Sequence, residues 1–198
     1  MSHAVRLGRR DEGAQLTLLH QWLPPSRCDN HRMQIPVFVS CPSKLNDNQE
    51  KSRKIVAHEL DKLNLEWRAL GRTDYPTELP LREVFILAKH CAGGVILGFE
   101  QAYAPTGVRK RGTKEEKPIT DIRVPTAWNH LEAGILFGLG LPLLVFREDG
   151  VTDGIFDNGV SDVFVHLMPA PTLASADRKA LSSVFQKWQA AVRTRYYS

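Results

Sequence analysis

Between Pro125 and Val145 the chain reads PTAWNHLEAGILFGLGLPLLV, and Glu132 is the single acidic residue in that run. A carboxylate so placed can stabilise positive charge developing on a substrate, or attack the charged centre directly. Trp128 lies four residues earlier, one helical turn away on the same face, and offers a flat apolar wall beside the charge. A helix this apolar is expected to be largely buried. An unpaired buried carboxylate is costly, so Glu132 either pairs with a cation or opens into a pocket. Arg72, Arg123 and His130 are the candidate ion-pair partners, and the pocket is the functional alternative. On a helix His130, two residues before Glu132, points about 160° away from it, which gives it a surface or packing role.

Other groups carry less. Cys28, Cys41 and Cys91 are odd in number and lack Cys-x-x-Cys spacing, the pattern of reduced thiols rather than of a disulfide framework. Cys41 has no evident base beside it and reads as a small buried thiol. Cys28-x-x-His31 and His90-Cys91 contain zinc-ligand types, but no spacing brings them together, so no metal is expected. Gly-x-Gly-x-x-Gly, Gly-x4-Gly-Lys-Ser/Thr and Gly-x-Ser-x-Gly are all missing, which removes support for a dinucleotide redox site, a P-loop and a hydrolase elbow.

The elements that must position Glu132 alternate. Ile35 to Cys41 is a β-branched and aromatic run, as in a buried parallel strand. A helix is expected from about Asn48 to Leu63, with Ile55, Val56, Glu59, Leu60 and Leu63 inward. Leu65 to Leu70 reads as a second strand. A helix from about Pro80 to Cys91 follows, with Leu81, Val84, Phe85 and Ala88 inward. Val95 to Gly98, Leu143 to Phe146 and Val163 to Leu167 supply three more strands. A last helix, about Ser175 to Arg195, sets Leu181, Val184, Phe185, Trp188 and Val192 on one face. Gly134 and Gly138 lie four apart, a spacing that would let the Glu132 helix approach a sheet closely, and Gly140 with Pro142 ends that helix. The class is α/β, flavodoxin-like, a five-stranded mainly parallel sheet with helices on both faces.

Two regions stand outside this pattern: an N-terminal extension, residues 1–34, and a charged insertion, residues 104–122, read as a mobile or functional loop inside the domain 35–198. Open parallel sheets bind ligands beyond the carboxyl ends of their strands. That rule gathers Ser40 and Cys41 after the first strand and Arg72, Asp74 and Tyr75 after the second. It adds Phe99, Glu100 and Gln101 after the third, with Trp128, Asn129 and Glu132 opening the next helix.

Composition bounds the partners. The chain has 198 residues, is 42% hydrophobic and carries a formal charge of +4 from 26 basic and 22 acidic residues. Arg109, Lys110, Arg111 and Lys114 equal that whole excess from one loop, so a nucleic-acid footprint is disfavoured. The N-terminus lacks a charged-then-apolar signal pattern and the apolar run around Glu132 is too interrupted to span a membrane. A soluble, cytoplasmic protein is expected.

The strand ending Phe-Val-Ser-Cys-Pro, the Gly-rich third strand and Trp-x-x-x-Glu-x-Gly ahead of Leu-Pro-Leu-Leu-Val together resemble two related groups of flavodoxin-like N-glycosidases. One is the Toll/interleukin-1 receptor (TIR)-like domain, including bacterial defence versions, whose Trp-Cys-x-x-Glu motif carries the glutamate that cleaves NAD. Trp128-Asn129-His130-Leu131-Glu132 keeps its tryptophan, spacing and acid, with Asn129 in the cysteine position. The other is the nucleoside 2-deoxyribosyltransferase-like group, whose Gly-Thr-x-x-Glu-x-Gly segment is similar to Pro125-Thr126 through Glu132-Ala133-Gly134, with a longer Thr-to-Glu interval here. The resemblance covers about residues 35–168. It implies that Glu132 stabilises or traps an oxocarbenium-like ribosyl group, and that Trp128 and Phe99 flank a base or nicotinamide. It further implies that Asn129 and Ser40 bond a ribose hydroxyl and that Arg72 meets a phosphate. NAD then enters as substrate and no cofactor is needed. The expected partner is a nucleotide small molecule, with self-association or a defence-system protein beside it. Two other functions stay open: a nucleoside or nucleotide N-glycosidase or deoxyribosyltransferase, and a non-catalytic nucleotide-sensing or assembly module.

Overall fold

The structure is a computed structural model, and it describes residues 34–71, 73–74, 79–160 and 163–198. The N-terminal extension therefore lies outside the described residues, apart from Gln34 at its end. The first strand, β1 (Ile35–Ser40), sends Val37 and Val39 to one side and Phe38 to the other, the alternation of a strand buried on both faces. It stops just before Cys41-Pro42, since proline cannot donate to a ladder. Asn46 caps α1 (Asp47–Lys62) by accepting from the Asn48 and Gln49 N–H groups, while Gln49 reaches back to the Asn46 N–H. Then come β2 (Leu65–Arg68), α2 (Pro80–Lys89) with proline in its first turn, and the fully buried β3 (Gly94–Gly98). After β4 (Ala102–Arg109), β5 (Lys117–Val124) and α3 (Ala127–Gly138) come β6 (Leu143–Arg147), a 3-10 turn (Gly154–Phe156), β7 (Val165–Leu167) and α4 (Ser175–Tyr197).

Five strands make one wholly parallel sheet in the order β2-β1-β3-β6-β7. The chain runs outward from β1 to β2 and then crosses back to β3, so the winding reverses between β1 and β3, as in flavodoxin-like folds. Each face of the sheet has its own core. Val37, Val39, Val95, Leu97 and Phe146 meet α1 and α4 through Val56, Leu60, Phe185, Trp188 and Val192. Phe38, Ile96 and Val145 meet α2 and α3 through Val84, Ala88, Ala133 and Leu136, joined by Phe156. Gly98 permits that last contact, because a Cβ there would stand 2.3 Å from the Phe156 ring. No helix among the described residues is long and apolar enough to cross a membrane.

Four expectations are corrected. The charged segment 104–122 is not a loop: β4 and β5 pair antiparallel from Ala102↔Val124 to Arg109↔Lys117 as a separate two-stranded ribbon. Thr106, Val108, Ile119, Thr120 and Ile122 supply its β-branched positions, and Pro105, Pro118 and the charges between them hide the alternation. The Glu132 helix is not largely buried either. Only Asn129, Ala133 and Leu136 of α3 are buried, while Leu131 and Phe137 are 50% and 56% exposed. Gly134 and Gly138 face open space rather than the sheet. In α2, Leu81 and Phe85 are exposed, and Leu87 completes the inner stripe with Val84 and Ala88.

Candidate active site

Where the winding reverses, beyond the carboxyl ends of β1 and β3, lies a cleft of about 380 Å³. Cys41, Pro42 and Ser43 line it from the loop after β1, Gln101 from the segment between β3 and β4, and Leu70 and Pro80 from either side of the β2–α2 connection. Thr126, Trp128 and Glu132 close it from the start of α3. That start is set locally: Thr126 is the N-cap residue, and its hydroxyl accepts from the Trp128 N–H at 3.3 Å.

Glu132 has no charged partner among the described residues. Burial pushes its carboxyl up to about 7, and the nearby Ser40 hydroxyl offsets part of that rise. Ser40 in turn accepts from Asn129 Nδ2 at 2.7 Å, and the same amide nitrogen lies 3.4 Å from the Leu97 carbonyl oxygen. The ion-pair alternative fails for two of its three candidates. Arg123 is engaged with Glu100 and Asp121, and His130 packs edge-on against Phe156 with ring centroids 5.4 Å apart. Arg72, the third, lies outside the described residues, as does Tyr75.

Of the sequence-derived residues, the structure brings Glu132, Trp128, Cys41 and Gln101 together at the cleft. Ser40 and Asn129 are there as well but buried, 1% and 0% exposed, beneath Glu132 rather than at the surface where a ribose would lie. Phe99 is not a cleft wall. Its side chain belongs to the core shared with α1 and α4, on the opposite side of the sheet from α3. Glu100 serves the scaffold: its N–H donates to Glu148 at 2.5 Å and its carboxylate stands 3.6 Å from Arg123 Nε. Asp74 accepts from Arg68 Nε at 3.0 Å and from the Thr73 hydroxyl at 2.8 Å. The guanidinium, with help from that hydroxyl, holds its carboxyl below the usual range, and it does not line the cleft.

Sequence reasoning missed Pro42, Ser43, Leu70, Pro80 and Thr126 as lining residues, although the strand-end rule that selected Cys41 also covers the two positions after it. It also missed Gln49. That buried amide donates to the Glu100 carbonyl at 3.1 Å and to Glu148 at 2.9 Å, tying the N-terminus of α1 to the loop that presents Gln101. The Asn46-x-x-Gln49 capping spacing was the available signal. Cys91 is inert, since burial pushes its thiol up to about 12.

Comparison with family models, with curated proteins and with solved structures finds no match for this chain.

Proposed function

We propose that this protein cleaves the N-glycosidic bond between nicotinamide and ribose in NAD, by hydrolysis or cyclisation, with Glu132 as its catalytic residue. The observation that carries the reading is a desolvated carboxyl without a counter-ion among the described residues, beside an aromatic face, at the sheet's switch point. When the C–N bond breaks, the electron pair leaves with the ring nitrogen and positive charge grows on the anomeric carbon. Ionised Glu132 stabilises that charge, or bonds to the carbon until water or a ribose-linked nucleophile displaces it. Nicotinamide departs neutral, so no acid has to protonate it. This suits a cleft whose described lining offers one carboxyl and one thiol as its titratable groups. Trp128 supplies the stacking face. The resemblance of Trp128 through Glu132 to the TIR-like motif extends the proposal to a role in defence or stress signalling.

The cleft volume favours a second reading. About 380 Å³ is near the lower end of ligand pockets, which run from about 300 to 1,000 Å³, and suits one base and one ribose. A nucleoside or nucleotide glycosidase or deoxyribosyltransferase would use the same carboxylate. Incubating purified protein with NAD and a panel of nucleosides and nucleotides, then separating released bases by chromatography, tests both. Nicotinamide release that Glu132→Gln lowers by on the order of a hundredfold supports the NAD reading. Release of another base supports the second. No release from any substrate overturns both and leaves a nucleotide-sensing or assembly module.

A further inference from the structure

Beneath the cleft, Asn129 and Ser40 stand below Glu132, and the bonds Asn129 makes have one sense of direction. The Leu97 carbonyl can only accept, so the end of the Asn129 side chain turned toward it must be the amide nitrogen. That nitrogen also faces Ser40 Oγ at 2.7 Å, so the serine oxygen is the acceptor in that bond. A hydroxyl has one proton. With its oxygen accepting from Asn129, Ser40 has that proton to give, and the neighbouring Glu132 carboxyl is the group whose charged form the hydroxyl favours. Turning the amide over would set two acceptors against each other at Leu97 and deprive Ser40 of its donor.

A second observation points the same way. Asn129 Oδ1 is buried without a hydrogen-bond partner, a situation that folded proteins largely avoid. An apolar side chain of similar size would fill this position without an orphaned acceptor. The nitrogen end is therefore what the asparagine contributes.

We propose that Asn129 is a positioning residue that acts on Glu132 through Ser40, its amide obliging the serine hydroxyl to donate to the carboxylate and so holding that carboxylate charged and in place at the cleft. The inference deepens the glycosidase reading and rests on Glu132 being the group that meets the ribose. The relay opposes the effect of burial, which favours the neutral acid. Few other groups compete for that role. Cys41, after β1, is the other titratable side chain among the described cleft-lining residues, and Gln101, after β3, is neutral. Arg82, Glu83 and Lys89 of α2 do not line the cleft, and His130 of α3 packs against Phe156. Glu100, beyond β3, is taken up by Arg123.

The test titrates Glu132 itself, without substrate, by carbon-13 NMR of the labelled carboxyl group, with the resonance identified by its loss in Glu132→Gln. Ser40→Ala is expected to move the midpoint upward by roughly one pH unit, the effect of removing a donor from the charged form. Asn129→Leu, or Asn129→Ala where the branched chain does not fit, is expected to move it upward by less. The double variant is expected to titrate like Ser40→Ala alone, because the asparagine has nothing left to act through. An unchanged midpoint in Ser40→Ala overturns the relay. So does an Asn129 effect that persists without the serine. Base release separates the two ideas: wild-type protein inert toward every substrate removes the glycosidase reading and leaves the titration result standing. If the protein is active, Ser40→Ala is expected to shift the rising limb of kcat/KM by the same interval and regain wild-type rates near pH 9. A loss equal at every pH would show a merely structural serine.

Discussion

Glu132 combines two demands that oppose each other. Its carboxyl is held near 7 by burial, whereas the same group in the unfolded chain titrates at about 4.5. A raised folded value means that its contribution to stability is fully present below the unfolded value and is lost as pH rises through the folded one. Glu132→Gln is therefore expected to melt together with wild type at pH 4 and above it at pH 8, by up to roughly 3 kcal/mol, in paired thermal scans. A lower melting point at pH 8 would reveal a cationic partner and revive the ion-pair alternative. On the proposed NAD reading, the same titration governs substrate binding. The nicotinamide ring of NAD is cationic, so its binding favours the charged carboxylate, and affinity is expected to fall as pH drops below about 7. NADH, with a neutral ring, is expected to show no such dependence by calorimetry. At this scale the sequence revealed what strand ends can reveal. Trp128, Glu132, Cys41 and Gln101 reach the cleft, while Phe99 follows the same strand as Gln101 and faces away. Phe99 and Gln101 have the same parity and would share a side in a continuous strand, but β3 ends at Gly98, so strand alternation does not say where the residues beyond it point.

Elements were legible where hydrophobic periodicity was strong. All five strands of the parallel sheet and the helices α1 to α4 fall within a few residues of their expected bounds. The hairpin was not legible, because a ribbon exposed on both faces has no apolar side to announce it. Nor was the exposed flank of α3, since an apolar helix resting on one edge of a sheet has the same composition as one enclosed all round. The ladder has a testable consequence. Limited trypsin digestion is expected to begin at Arg111 or Lys114, in the turn between the two strands, and to spare Arg123 within β5. Equally fast cleavage at Arg123 would mean that the strands part readily. At the carboxyl end of β3, Gly98 lies directly under Phe156. Gly98→Ala is expected to destabilise the fold by about 2 kcal/mol in urea titration, because β3 and the 3-10 turn cannot both keep their places.

For the molecule as a whole, the alternation of strands and helices was enough to anticipate a doubly wound sheet, and the sheet's reversal point in turn locates the cleft. Closure of the sheet depends on α4. Phe185, Trp188 and Val192 complete one of the two cores, and the Trp188 indole N–H donates to the Pro142 carbonyl at 3.0 Å. A chain ending at Ala174 is expected to lose cooperative melting by circular dichroism, since Val39, Leu97 and Phe146 would be left facing water. The ribbon also has a meaning in time. β4 and β5 are neighbours along the chain and can zip together within roughly 1–10 μs, whereas β1 must find β3 and β3 must find β6 across long intervening segments. Pulse-labelled hydrogen exchange during refolding is expected to protect amides of Tyr103 through Val108 before those of Val37 through Val39. The order of assembly then has Glu132 travelling on a segment already anchored by its own preformed ribbon, and meeting Ser40 only when the last long-range pairings close.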